Sequence, residues 1–137
     1  MAISREAYCD TSALIAFMDA SDSHHALFVR LFADPPRLVT TSLVVAEGHG
    51  WFLRRFDQGR ALDFLSMIEA CEPLAVISVG SPEIAAATAL LRRFADQQLT
   101  LADAVGLHVM KVRRSRACWS TDRHLRLTGV PLVIDDT

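Results

Sequence analysis

Asp10-Thr11-Ser12-Ala13-Leu14 marks the point where a short apolar stretch gives way to a helical pattern. Residues 6–9 before it have strand character, and residues 12–19 have helical periodicity. Asp10 is therefore predicted to lie where a strand ends and a helix begins. Ligands bind at that edge of an open parallel sheet, so the position of Asp10 is the first indication of a functional site.

The alternation of strand and helix patterns continues along the chain. Such interleaving predicts a mostly parallel central sheet between two helical layers, an α/β fold of the three-layer α/β/α sandwich type. A chain of 137 residues with 51% hydrophobic content is enough for one buried core, so we expect a single domain over residues 1–137. Further strands are predicted at 37–40, 74–79, 117–120 and 131–134, and further helices at 24–33, 42–55, 58–71, about 80–94 and 101–114.

Composition excludes several classes of protein. A net charge of −2, with 14 basic and 16 acidic residues mixed along the chain, argues against a strongly basic nucleic-acid-coating protein but allows a local basic strip. Cys9, Cys71 and Cys118 lack the close spacing of a zinc site and are expected to be small buried hydrophobic residues. With no secretory pattern at the N-terminus and no apolar run of membrane-spanning length, we expect a soluble, cytoplasmic protein.

Three further acidic residues are predicted to point at the same edge of the sheet as Asp10. Asp103 opens a helical pattern, and Asp122 closes an apolar run through Ser120-Thr121. Glu47 lies one to two turns into its helix and can lean back toward the same edge, because helical side chains point toward the helix N-terminus. The sequence therefore predicts that four carboxylates meet at one edge of the sheet.

Clustered carboxylates repel one another, and a bound divalent cation usually offsets this repulsion. The hydroxyls of Ser12 and Thr121 are predicted to lie beside the four acids. An all-oxygen site of this kind suits Mg²⁺ or Mn²⁺.

Each acid also has a local, structural explanation. Asp10 and Asp122 could cap the helix or turn that follows them, and Thr100-x-x-Asp103 resembles a capping box. Glu47 is the hardest to explain in this way. Helical spacing places it on a stripe with Trp51, where a carboxylate facing an apolar core would be costly without a partner.

The order and spacing of these motifs resemble the PIN-domain nucleases, in particular the VapC-type toxins of bacterial toxin–antitoxin pairs, over nearly the whole chain. One difference is Leu125, where many members carry an aromatic residue, and it affects no metal ligand. The motifs that carry the resemblance are Asp10-Thr11-Ser12, Glu47 in the third helix, Leu101-Ala102-Asp103-Ala104, Ser120-Thr121-Asp122-Arg123-His124 and Gly129-Val130-Pro131-Leu132-Val133-Ile134.

The resemblance implies an Mg²⁺- or Mn²⁺-dependent ribonuclease. Asp10 and Asp103 would ligate the metal directly, and Glu47 and Asp122 directly or through water. Ser12 or Thr121 would orient that water or the RNA phosphate. The resemblance also implies an RNA substrate, a small antitoxin protein that holds the toxin inactive, and a homodimer.

Other functions remain open at the level of sequence. A nuclease of RNA maturation would use the same site, and a catalytically idle PIN-like scaffold is disfavoured by the four intact acids. A phosphoacceptor receiver domain has a similar length and clustered acids, but the strand at 74–79 lacks an acceptor aspartate and Asp122 stands where a receiver has lysine.

Two groups of residues outside the acidic site are further candidates for a functional role. The basic run Lys111, Arg113, Arg114 and Arg116 is expected to be a solvated helix end, and Arg123, Arg126 and His124 could contact RNA near Asp122. Apolar residues of the first two helices exceed what a small core needs, and an exposed remainder would form a partner or dimer face. These are Leu14, Ile15, Phe17, Met18, Leu27, Phe28, Leu31 and Phe32.

Overall fold

The computed structural model describes residues 5–136. Within that range the chain forms four strands: β1 (Ala7–Cys9), β2 (Leu38–Thr41), β3 (Leu74–Ile77) and β4 (Cys118–Trp119). Its α-helices are α1 (Thr11–Met18), α2 (His25–Ala33), α3 (Ser42–Arg55), α4 (Gln58–Ala70), α5 (Ser81–Arg93) and α6 (Leu101–Arg113). Two short 3₁₀ helices follow, Arg123–Arg126 and Val133–Asp136.

The four strands form one parallel sheet in the order β3-β2-β1-β4. Tyr8 of β1 lies opposite Val39 of β2 on one side and Cys118 of β4 on the other. Because β1 and β4 are adjacent and parallel, the residues that follow Cys9 and Trp119 emerge side by side at one edge. This geometry brings the Asp10-Thr11-Ser12 and Ser120-Thr121-Asp122 motifs together.

Successive residues of the central strands alternate between two apolar cores. Ala7, Cys9 and Leu38 pack with residues of α1 to α4 on one face. Tyr8 and Val39 pack with residues of α5 and α6 on the other. The alternation follows from the two-residue period of a strand, and it confirms the predicted sandwich of a parallel sheet between two helical layers.

Helix α6 approaches β1 closely because Gly106 has no side chain. A Cβ on Gly106 would lie 2.8 Å from the Tyr8 hydroxyl oxygen and 3.0 Å from the ring. Asp103 is one turn earlier on the same helix, so this close packing also brings Asp103 near the end of β1.

The strand predicted at residues 131–134 is wrong for most of its length. Leu132 makes a single parallel bridge with Cys118, and the Asp135 N–H then donates to the Leu132 carbonyl at 3.1 Å. That bond closes a 3₁₀ turn, so the chain leaves the sheet after one residue. Pro131 precedes the bridge and has no N–H to donate to a ladder, which limits pairing further.

The eight apolar residues of α1 and α2 that suggested a partner face are buried or partly buried, so they leave little exposed surface for such a face. Leu14 and Phe28 are fully buried, and the other six pack, partly buried, against the same core. Large apolar side chains that are exposed lie mostly elsewhere in the described chain, at Val29, Leu53, Phe56, Leu62, Val76, Leu101 and Val112. No helix within residues 5–136 is both long and apolar enough to cross a bilayer.

Candidate active site

A cavity of about 250 Å³ lies where β1 and β4 end, and all four predicted acids line it. These are Asp10, Glu47, Asp103 and Asp122. Its other lining residues are Thr11, Ser12, Ile15, Trp51, Arg54 and Thr100. Residues that are up to 112 positions apart in sequence therefore share one small space, as the edge of a parallel sheet predicts.

Asp10 directly follows β1 and is buried, with 5% of its surface exposed. It occupies the N-cap position of α1, but its side chain makes no capping hydrogen bond there. Instead its Oδ2 atom accepts hydrogen bonds from the hydroxyls of Ser12 and Ser120, each at 3.0 Å. The structural explanation of Asp10 as a side-chain cap therefore does not hold.

Ser12 and Ser120 join the start of α1 to the loop after β4. Their hydroxyl oxygens lie 3.0 Å apart, and Ser12 Oγ accepts from the Thr121 N–H at 3.0 Å. Ser120 Oγ accepts from the Asp122 N–H at 2.9 Å. The network fixes Asp10 and Asp122 relative to each other, and Thr121 joins it through its backbone N–H.

Glu47 lies on α3 at the open side of the cavity, where it is exposed to solvent. The Thr11 hydroxyl donates a hydrogen bond to its carboxylate. Glu47 therefore needs no partner inside the apolar core, because it is exposed and lines the cavity together with Trp51, which also packs against the core. Glu47 still lies at the predicted edge of the sheet, where the hydrogen bond from Thr11 of α1 holds its carboxylate.

Asp103 both caps α6 and lines the cavity. Its N–H donates to Thr100 Oγ1 at 3.1 Å, and its Oδ2 accepts from the Thr100 N–H at 3.0 Å, which completes the predicted capping box. Only 8% of Asp103 is exposed. The capping role and the site role are thus compatible, since the cap fixes the carboxylate where it borders the cavity.

Asp122 caps the 3₁₀ helix Arg123–Arg126 by accepting from the His124 N–H at 3.0 Å. The His124 ring atom Nδ1 also lies 3.0 Å from Asp122 Oδ1, which makes an ion pair when the imidazole is protonated. Both side chains are partly exposed. His124 therefore contacts the acidic cluster at its rim.

The electrostatics of the site reflect surplus negative charge. Burial, and then the charge of Asp103, raises the pKa of Asp10 from 3.8 to about 6, against the lowering effect of the Ser120 and Ser12 hydrogen bonds. Burial also raises the pKa of Asp103, and the charge of Asp122 adds to this increase. The acids are therefore close enough to oppose one another's ionisation.

Sequence reasoning missed several residues that shape this site, among them Thr11, Ser120 and Arg54. The sequence around Ser120 is typical of a turn, although its hydroxyl bonds Asp10 directly. Arg54 is the one basic residue that lines the cavity within residues 5–136, and its spacing of seven from Glu47 on a helix was a usable signal. By contrast, the guanidinium of Arg126 is bound to Asp135, and Arg126 is not among the residues that line the cavity.

The donor set suits a hard divalent cation, although the carboxylates do not enclose one as they stand. Mg²⁺ and Mn²⁺ prefer carboxylate and hydroxyl oxygens, which is the chemistry of this cavity. Within the described residues, no group of three or more His, Cys, Asp and Glu side chains is placed so that it could already hold a metal ion. Asp10, Asp103 and Asp122 instead each bond a hydroxyl or backbone N–H nearby.

The fold and the site together define an α/β protein with a carboxylate-lined cavity at the carboxyl edge of a parallel sheet. The sequence of residues 7–130 matches the family model of the PIN domain, and the chain belongs to that family. No curated protein matches the sequence.

The fold is shared with other solved structures, among them the following two. One is VapC20 from Mycobacterium tuberculosis, described as a sarcin–ricin loop cleaving toxin, with a TM-score of 0.85 and 23% identity over 93% of this chain and 98% of that chain. The other is a chain of a toxin–antitoxin complex from Klebsiella pneumoniae, with a TM-score of 0.60 and 21% identity over 91% of this chain and 92% of that chain. At these identities the likeness establishes the fold.

Proposed function

We propose that this chain is a divalent-metal-dependent endoribonuclease and the toxin of a toxin–antitoxin pair, acting in the cytoplasm as a single PIN domain over residues 1–137. One observation carries the proposal: four carboxylates of a PIN-family chain line a single cavity at the carboxyl edge of the sheet. The descriptions of the two structural neighbours, a toxin that cleaves the sarcin–ricin loop and a toxin–antitoxin complex, support the toxin role.

Asp10 and Asp103 are the residues proposed to hold the metal directly, with Glu47 and Asp122 binding directly or through water. Mg²⁺ or Mn²⁺ bound there would make water a better nucleophile at neutral pH and stabilise the negative charge that develops at the scissile phosphate. A positive charge there would also offset the repulsion from Asp103, which adds to the effect of burial in raising the pKa of Asp10.

The surrounding residues have roles that follow from their contacts. Ser12 and Ser120 donate to the same oxygen of Asp10 and so hold its carboxylate in one orientation. Arg54, on the wall of the cavity, supplies a positive charge that could pair with a phosphate of the RNA. Thr11 keeps Glu47 turned toward the cavity.

The receiver-domain alternative is excluded by the family and by the sheet. Receiver domains are flavodoxin-like, with strand order 2-1-3-4-5. Here the order is 3-2-1-4, and the sequence matches the PIN domain. A nuclease of RNA maturation would use the same acids, and recovery of a small partner protein with the chain would favour the toxin role over it.

RNA cleavage by an Asp103→Asn variant tests the proposal. Asparagine keeps the size and one oxygen but removes the charge, so cleavage with Mg²⁺ or Mn²⁺ should fall by orders of magnitude while the fold survives. Asp57→Asn is the matched control, since Asp57 caps α4 through the Arg60 N–H at 2.8 Å and does not line the cavity. An Asp103→Asn protein that cleaves RNA as fast as Asp57→Asn would remove Asp103 from the site.

A further inference from the structure

A second, basic cavity lies at the opposite end of α6 from Asp103. Its volume is about 430 Å³, and Arg93 of α5 together with Lys111 and Arg114 at the end of α6 contribute three positive charges to its wall. No acidic side chain is among its lining residues in the described chain. The cavity therefore carries uncompensated positive charge.

The three cations form no ion pairs among the described side chains, whereas the neighbouring Arg113 and Arg126 do. Arg113 is bound in a two-pronged contact to Glu6, at 2.6 and 2.9 Å, and Arg126 is bound to Asp135. Among the side chains described, those of residues 5–135, Arg93, Lys111 and Arg114 form no salt bridge. Their charges are available to an anion.

Two hydroxyls that line the same cavity also lack a partner. Only 6% of Ser115 is exposed, and its Oγ has no hydrogen-bond partner in the described chain. The Oγ1 atom of Thr128 is likewise buried without a partner. Because buried polar groups are nearly always hydrogen-bonded, these two hydroxyls are unsatisfied donors beside the cavity, and a rotation about χ1 would let either reach an acceptor there.

The helix dipole alone does not account for this arrangement. The C-terminal end of α6 favours cations at Lys111 and Arg114, as expected from the sequence. Arg93 lies in the last turn of a different helix, α5, so the ends of two helices bring cations to one cavity that has no acidic lining residue in the described chain. The terminal carbonyls of Met110 and Lys111 already accept from the Ser115 and Arg114 N–H groups at 3.1 and 3.4 Å. The dipole also gives no reason for unpaired hydroxyls.

We propose that this cavity is a phosphate-binding site, separate from the acidic site. Lysine and arginine charges with hydroxyl donors are the groups that bind phosphate oxygens in proteins. Arg114 follows Asp103 by eleven residues, which places the two sites roughly 16 Å apart along α6 at 1.5 Å per residue. The phosphate is either one in the backbone of a bound RNA or that of a small phosphomonoester, and the site does not depend on nuclease activity.

The first arm of the test uses inorganic phosphate and thermal unfolding. Phosphate should raise the Tm of the wild type with increasing concentration, because it binds only the folded state. The double variant Lys111→Gln/Arg114→Gln should lose most of this rise. Arg30→Gln/Arg92→Gln, which removes the same charge from exposed arginines outside the cavity, should keep it. Equal rises in all three proteins would overturn the proposal.

The second arm identifies the source of the phosphate by RNA binding without metal, in the presence of a chelator. If the site takes an RNA phosphate, the Lys111→Gln/Arg114→Gln variant binds RNA more weakly, and its slope of log K against log salt falls by about 0.7 for each phosphate that the variant no longer neutralises. RNA binding equal to that of the Arg30→Gln/Arg92→Gln control, with the phosphate effect still abolished, assigns the site to a phosphomonoester. RNA cleavage plays no part in either readout, so failure of the nuclease proposal would leave this result standing.

Discussion

At the scale of single residues, the clearest indication of function is that Asp10 and Asp103 are buried near other carboxylates. Burial and the neighbouring charges raise the pKa of both residues. Asp10 was predictable because it follows an apolar stretch and precedes a helix, a pattern that fixes its place at the sheet edge. Ser120 was not predictable, because a hydroxyl in a turn-like sequence is ordinary, and only the pairing of β1 with β4 brings it to Asp10.

The raised pKa of Asp10 predicts a pH dependence of stability in the metal-free protein. Its pKa is about 6 in the folded state against 3.8, so the folded state holds the proton more tightly and stability falls as pH rises from about 4 to 6. Relative to Asp10→Asn, the wild type should lose up to about 3 kcal/mol over this range, measured by urea unfolding with a chelator present.

Asp19 provides a control of opposite sign. Hydrogen bonds from Ser21 hold the pKa of Asp19 below its usual value, so the wild type should gain stability over Asp19→Asn as pH rises. If the difference in unfolding free energy between wild type and Asp10→Asn stays constant from pH 4 to 7, the folded state does not raise the pKa of Asp10.

At the scale of elements, helix and strand positions followed closely from the sequence, whereas the contacts between elements did not. The ends of α3 were predicted to the residue at 42–55, and the structure shows that the Thr41 side chain caps its start by accepting from the Val44 N–H. The strand at 131–134 failed because a short apolar run beside proline has the same pattern whether it pairs or turns.

Gly48 is an element-scale position whose importance is invisible in the sequence. A Cβ there would lie 2.3 Å from the buried ring of Phe64, so Gly48→Ala must push α3 and α4 apart. We expect it to lower the free energy of unfolding by about 1–3 kcal/mol despite the better helix propensity of alanine.

Gly50→Ala on the same helix is the matched control for Gly48→Ala. Its Cβ would meet only the flexible end of Arg54, at 3.1 Å, so its stability should stay equal or rise by up to about 1 kcal/mol. Chemical denaturation compares the two directly, and equal effects would show that α3 and α4 are not tightly packed at Gly48.

At the scale of the whole molecule, the family and the exposed surface together predict a partner. The first two helices bury most of the apolar residues that suggested a partner face, but Leu53, Phe56 and Leu62 remain exposed on α3, its C-terminal end and α4. We expect the isolated chain to dimerise or to bind a short amphipathic helix of an antitoxin. Light scattering that shows a monomer over a wide concentration range, with no partner on co-purification, would contradict this.

The proposed function depends above all on the four carboxylates forming a metal site, which thermal unfolding with Mg²⁺ or Mn²⁺ can test. Binding to the folded state should raise the Tm of the wild type with increasing metal concentration. Asp10→Asn and Asp103→Asn should lose most of that rise, whereas Asp57→Asn, which changes a helix cap outside the cavity, should keep it. Equal metal-dependent shifts in the wild type and all three variants would contradict the metal site and leave the acids as structural residues.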